Sequence, residues 1–140
     1  MKTSNILYLG ELRTNATHLD SKNTIITDAP LDNHGKGEAF SPTDLAATSL
    51  AACLLTVVGI YAQNNGVDMR KSNATVQKIM SGDAPRRIVQ INVDVNFITS
   101  VALDVKDQII FERIAKTCPV SQSLHPDIVQ NMVFTFSVEA

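Results

Sequence analysis

The stretch from Ser41 to Gly66, SPTDLAATSLAACLLTVVGIYAQNNG, decides the fold because it carries the signals of one long helix. Ser41 is a good N-cap, Pro42 suits the first helical position, and Asp44 places negative charge beside the positive helix end. Gly66 is a natural left-handed stop. The stretch therefore predicts a helix of about 23 residues, or roughly 35 Å at 1.5 Å per residue.

This predicted helix is apolar almost all round, since residues 45–62 contain no charge. Their number is at the lower end of what can span a bilayer, but neither end carries the Lys, Arg or aromatic anchors of a spanning helix. Such a helix is otherwise buried inside protein. A chain of 140 residues with two helices can hardly cover it alone, so we expect a homodimer and no membrane insertion.

The rest of the chain reads as short strands and one further helix. The clearest strand alternates Ile91, Val93 and Val95 with polar residues, and Thr14-Asn15 predicts the first turn. Ile109, Ile110 and Ile114 predict the inward face of the second helix. The predicted strands are 5–13, 16–19, 24–27, 71–80, 87–99 and 132–138, and the second helix spans about 105–117. This order indicates a single α+β domain over residues 1–140 with a largely antiparallel sheet.

Composition and motifs exclude several function classes. The net charge is -2 with no basic run, so no nucleic-acid partner is expected. The chain has no Walker loop, no dinucleotide-binding glycine pattern and no nucleophile elbow. Its 3 histidines lack zinc-site spacing, and we expect neither a metal nor a cofactor. The start of the sequence lacks a secretory pattern, so we expect a cytoplasmic protein.

The chain's 2 cysteines, Cys53 and Cys118, are the candidates for chemistry. Cys53 lies within the predicted helix, where it either reacts or packs as a small hydrophobic side chain. Cys118 precedes Pro119, so it either caps a short helical turn over 120–124 or merely ends the preceding helix. Unpaired backbone N–H groups at such a cap stabilise a thiolate. Because cytosolic thiols are kept reduced, no permanent disulfide is expected.

Three segments of the sequence resemble those of the OsmC/Ohr family. SPTDLAA at residues 41–47, leading to Ala51-Ala52-Cys53, is similar to the family's first cysteine motif. CPVSQSLHP at residues 118–126 is similar to the second, and TDAPLDNHGKG at residues 27–37 resembles a loop of one OsmC-like branch. The likeness covers essentially the whole chain in the right order.

The resemblance implies an OsmC-like α+β fold with largely antiparallel sheets, a long buried central helix and an intertwined homodimer. It also implies an oxidative-stress function, the thiol-dependent reduction of peroxides, organic hydroperoxides especially. Carried over by position, Cys53 is the peroxidatic nucleophile and Cys118 the resolving thiol, and an external dithiol is the reductant.

The resemblance further implies an arginine beside the reactive thiolate. Arg13 is the best match because no other arginine precedes the long helix; otherwise it is a surface charge at a strand end. The family places Glu directly after the helix-start proline, whereas this chain has Thr43 there and its acid one residue later, as Asp44. Threonine cannot hold a guanidinium through two hydrogen bonds. Asp44 is therefore the candidate partner of Arg13, or only a helix-start charge.

The chemistry of a thiol supports the need for a cation. Only the thiolate is nucleophilic, a free cysteine has a pKa near 8.5, and burial raises it. No charged residue lies within one helical turn of Cys53, so a cation has to come from elsewhere in the fold or from a partner subunit. Two other functions remain open: a protein that binds a small hydrophobic molecule, and a thiol sensor that oxidises without turnover.

Overall fold

The computed structural model describes all 140 residues and confirms the α+β class. The chain divides into two compact units, Met1–Ala46 and Ala47–Ala140. The elements in chain order are β1 (Ser4–Gly10), β2 (Arg13–His18), β3 (Thr24–Asp28), a 3-10 turn (Leu31–Asn33), α1 (Pro42–Asn64), β4 (Asn73–Met80), β5 (Ile88–Thr99), α2 (Val105–Lys116), α3 (Pro119–Ser123) and β6 (Val129–Val138).

The first unit contains a three-stranded antiparallel sheet in the order β1-β2-β3. The predicted turn at Thr14-Asn15 is wrong, because both residues pair within β2. The chain turns earlier, at Gly10, Glu11 and Leu12, which all have positive φ angles of 52° to 83°. Gly10 adopts that conformation at little cost, but Glu11 and Leu12 give no turn signal. The predicted strand 5–13 is therefore β1, this turn and the first residue of β2.

Strand β1 exposes apolar side chains on both faces of this sheet. Ile6, Leu7, Tyr8 and Leu9 are each at least half exposed. Since successive residues of a strand point to opposite faces, neither face of β1 is covered. Monomeric proteins rarely expose continuous apolar surface of this kind.

Helix α1 supplies one side of the core of the second unit. Its bounds match the predicted length of 23 residues. Its buried residues lie along one face of the helix. They are Ala47, Leu50, Ala51, Leu54, Val58 and Ala62. The opposite face exposes Ala52, Thr56 and Ile60. By length and composition α1 is also the one helix that could cross a membrane. Of its most apolar stretch of 18 residues, 33% is buried.

The second sheet has the order β4-β5-β6 and supplies the other side of that core. The alternation predicted for β5 is confirmed, since Ile91, Val93, Val95 and Phe97 are fully buried. β4 and β5 are antiparallel, whereas β5 and β6 are parallel. A parallel neighbour requires a crossover connection, and the segment that contains α2 and α3 provides it.

The inward face of α2 differs from the prediction. Phe111 and Ala115 are buried, whereas Ile109 is 55% exposed. Phe111 packs edge-on against Phe97 with ring centroids 5.3 Å apart, and this contact fixes the rotation of the helix. Ile109 lies about 200° around the helix from Phe111, because each residue turns by about 100°. Ile110 and Ile114 are partly buried.

Candidate functional site

The two cysteines lie together in the second unit. Cys118 belongs to the buried core at 1% exposure, and Cys53 on α1 is partly buried and packs against that core. Both are free thiols. Cys53 lies near enough to Cys118 to influence the pKa of the Cys118 thiol. Two neighbouring thiols are the arrangement that a reversible disulfide requires.

Cys118 is the N-cap of α3, as one of its two sequence interpretations predicts. Its backbone is extended, with φ of -66° and ψ of 156°, and Pro119 occupies the start of the helix. The backbone N–H of Ser121 donates a hydrogen bond to Cys118 Sγ over 3.4 Å. This is the cap geometry in which an otherwise unpaired helix N–H meets a side-chain acceptor.

The surroundings of Cys118 favour its neutral thiol. Burial raises the pKa of Cys118 above that of an ordinary thiol, and the neighbouring thiol of Cys53 raises it further. The N–H groups of Ser121 and Val120 act against this and lower the pKa. Burial is the largest cause, because a thiolate without water loses its solvation. Cys118 is therefore a thiol at neutral pH.

No charged side chain of α1 lies within a turn of Cys53. The residues three and four positions away are Ser49, Leu50, Thr56 and Val57. No group of three or more His, Cys, Asp or Glu side chains is arranged to hold a metal ion.

Arg13 is held by a carboxylate in the first unit. It begins β2 directly opposite Asp28, the last residue of β3. Its Nε donates to Asp28 Oδ1 over 2.6 Å and its Nη2 to Oδ2 over 2.8 Å. The Asp28 side chain is fully buried, and its Oδ2 also accepts from the backbone N–H of Glu38 over 3.1 Å. The Glu38 carboxylate lies 3.8 Å from Arg13 Nη2.

This two-bond ion pair fixes the charge and orientation of both partners. Its hydrogen bonds hold the pKa of Asp28 below its usual range and raise that of Arg13 further. Bidentate pairs of arginine and carboxylate are among the strongest charge-assisted contacts in proteins. The Nη1 end of Arg13 takes no part in the contacts with Asp28 and Glu38.

Asp44 caps the start of α1. Its N–H donates to Ser41 Oγ and its Oδ2 accepts from the N–H of Ser41, both over 3.0 Å. This reciprocal pair is a capping box, and it agrees with the helix-start interpretation of Asp44. The Thr43 hydroxyl lies 3.2 Å from that of Ser41.

The partner of Arg13, Asp28, is the residue that sequence reasoning missed. The available signal was the hairpin of β2 and β3, whose pairing sets Arg13 opposite Asp28. Using that signal required the correct strand register, which the misplaced first turn obscured. The structure thus brings Cys53 together with Cys118 and Arg13 together with Asp28.

The chain is similar to known proteins in both sequence and fold. The sequence matches the family described as OsmC-like protein over residues 35–132. A crystal structure from Psychrobacter arcticus 273-4, of a protein named for osmotic stress induction and detoxification response, is 51% identical. The alignment covers 96% of each chain with a TM-score of 0.90. None of the curated proteins is significantly similar to this chain.

Two more distant structures share the fold. An organic hydroperoxide resistance protein OsmC from Legionella pneumophila is 15% identical, with 99% and 98% of the two chains covered and a TM-score of 0.67. A Vibrio cholerae protein named for organic hydroperoxide resistance, with captopril in one of its active sites, is 16% identical. That alignment covers 99% of this chain and 92% of the other with a TM-score of 0.66. The match over residues 35–132 shows that this chain belongs to the OsmC-like protein family.

Proposed function

We propose that this protein is a thiol-dependent peroxidase that reduces hydroperoxides, organic ones especially, through Cys53 and Cys118. The observation that carries the proposal is the pairing of the chain's two thiols, one partly exposed and the other buried beside it. The names of two relatives by fold, which refer to organic hydroperoxide resistance, support the same substrate class.

The reaction uses the two thiols in sequence. The Cys53 thiolate attacks the distal oxygen of the hydroperoxide, the O–O bond breaks, and the sulfur becomes a sulfenic acid while the alkoxide takes a proton from solvent and leaves as an alcohol. Cys118 then attacks that sulfur as a thiolate, so the disulfide forms and the sulfenic oxygen leaves as hydroxide, which takes a proton from solvent to become water. An external dithiol reduces the disulfide back to two thiols and becomes a disulfide itself.

In this proposal Arg13 keeps Cys53 ionised. A guanidinium stays charged at every physiological pH, so it stabilises a thiolate without itself titrating. Asp28 holds the Nε and Nη2 edge of Arg13, which leaves the Nη1 end for a second anion. Asp28 thus supplies the orienting carboxylate that the chain lacks at Thr43.

The proposal includes a homodimer in the cytoplasm. Two exposed surfaces support a partner subunit. One consists of the uncovered apolar residues on both faces of β1, and the other is the face of α1 at Ala52, Thr56 and Ile60. The proposed partner is a second copy of the chain. The cytoplasm supplies reduced dithiols for each new cycle.

The test measures peroxide consumption by the Cys53→Ser variant with dithiothreitol as donor and cumene hydroperoxide as substrate. Cys53→Ser is expected to abolish turnover, and undiminished consumption would end the proposal. The Lys106→Ala variant, at an exposed position of α2, serves as the control and is expected to retain full activity.

Counting free thiols separates the other two functions. A slight excess of cumene hydroperoxide should remove both thiols of the wild-type protein, and dithiothreitol should restore them. Loss of both thiols without sustained turnover identifies a sensor. Thiols that stay unchanged identify a binding protein in which the cysteines only pack.

A further inference from the structure

Gln130 on β6 is bound to the helical turn that follows Cys118. Ser121 Oγ donates to Gln130 Oε1 over 2.5 Å, and Gln130 Nε2 donates to the carbonyl oxygen of Ser121 over 3.0 Å. Both polar ends of the glutamine amide are therefore engaged with the same residue. Ser121 is buried, so these bonds are shielded from water.

Ser121 is also the residue whose backbone N–H points at the sulfur of Cys118. α3 has only 5 residues, and so short a helix has little stability of its own. The direction of that N–H consequently depends on contacts outside the helix. Gln130 provides two of them, and the carbonyl oxygen of Lys116, 3.0 Å from Ser121 Oγ, provides a third.

We propose that Gln130 is a positioning residue for disulfide closure: by holding Ser121, it keeps the Ser121 N–H directed at Cys118 Sγ while that sulfur carries negative charge. The inference rests on the proposed function, in which Cys118 attacks the Cys53 sulfenic acid as a thiolate. Gln130 hydrogen-bonds to Ser121 and acts on the Cys118 sulfur through that residue. The same N–H stabilises the Cys118 thiolate when an external dithiol reopens the disulfide.

The charge on Cys118 has few other stabilising groups. The one titratable side chain that acts on it is Cys53 of α1, which disfavours the thiolate. The groups that favour the thiolate are the backbone N–H groups of Ser121 and Val120. Loosening Ser121 therefore removes part of a small set of donors, and no charged side chain compensates.

The experiment separates sulfenate formation from disulfide closure in a single turnover. Fully reduced protein is mixed with one equivalent of cumene hydroperoxide and quenched at intervals with dimedone, which traps the sulfenic acid. Intact mass spectrometry then measures the trapped sulfenic acid and the disulfide. The variants are Gln130→Met, which keeps the side-chain length without either hydrogen bond, and Asn131→Met, an exposed control on the opposite face of β6.

Gln130→Met is expected to form the sulfenic acid at the wild-type rate and to close the disulfide about two- to tenfold more slowly, the range for one hydrogen bond of ordinary net strength. The pH profile of closure should also move to higher pH, because a donor that lowers the pKa of Cys118 is weakened. A merely structural role would lower the melting temperature without moving this profile. Asn131→Met should close at the wild-type rate.

Ser121→Ala provides a second route to the same inference and leaves β6 unchanged. It should slow closure to a similar extent, and the double variant with Gln130→Met should show less than the sum of the two effects. If folded variants close as fast as wild type with the same pH profile, the inference is wrong while the proposed function stands. If the wild-type protein forms neither sulfenic acid nor disulfide, the proposed function itself fails.

Discussion

The burial of Cys118 predicts that the protein loses stability at alkaline pH through this one group. Burial raises the pKa of Cys118, so the folded chain holds the thiol proton at a pH where the unfolded chain releases it. The unfolded state is then favoured by deprotonation, and the free energy of unfolding falls as pH rises. Cys118 contributes fully to the free energy of unfolding below the pKa of an ordinary thiol. This contribution is lost as pH rises from that value to the raised pKa of Cys118 in the folded chain.

The magnitude follows from the structure and can be isolated with Cys118→Ala. At neutral pH this change removes a sulfur that is 1% exposed. Its loss should cost about 1 kcal/mol, the transfer of one methylene-sized group plus a small cavity. Above about pH 8.5 one proton distinguishes the two states of wild type, so its stability falls by up to about 1.4 kcal/mol per pH unit relative to the variant. The stability advantage of wild type over the variant should therefore shrink as pH rises above about 8.5.

The assay is denaturant unfolding of the reduced proteins at one fixed chain concentration, from about pH 7 to about pH 9.5, the range that brackets an ordinary thiol pKa. Val95→Ala is the matched control, since Val95 is equally buried and does not titrate. Its difference from wild type should stay constant with pH. A Cys118→Ala difference that also stays constant would refute the argument that burial holds this thiol neutral.

Three further outcomes are expected. Asp28→Asn should slow the alkylation of Cys53 by iodoacetamide at neutral pH, because an amide offers Arg13 one acceptor in place of two and no charge; an unchanged rate would contradict the role proposed for Arg13. Phe97→Ala should lower the free energy of unfolding in urea by about 3–5 kcal/mol, since Phe97 is fully buried among aromatic rings. Ser41→Ala should cost about 1 kcal/mol in the same measurement, because it removes the N-cap acceptor of α1.

Local signals explain what the sequence could predict. The N-cap Ser41, Pro42 and the stop at Gly66 act within a few residues of the helix ends, and α1 begins and ends as they indicate. The alternation of β5 is equally local, because it records which side chains face the core. The cap geometry of Cys118 follows in the same way from the proline directly after it.

Pairing between distant segments explains what the sequence could not predict. The first turn lies at Glu11 and Leu12, which have no turn preference, whereas Thr14 and Asn15 do and are in a strand. No local pattern states that β6 runs parallel to β5. The contacts of Asp28 with Arg13 depend on strand register, so they appear only in three dimensions.

The unequal exposure of the two thiols gives each a different step in the proposed reaction. A hydroperoxide approaching from solvent meets Cys53, which is partly exposed, whereas Cys118 at 1% exposure is out of its reach. Burial also keeps Cys118 protonated, and a protonated thiol reacts poorly with peroxide. The sulfenic acid therefore forms on one sulfur only, and the second thiol stays reduced until closure. Burial slows the attack of Cys118, and the N–H of Ser121, held by Gln130, offsets part of that cost.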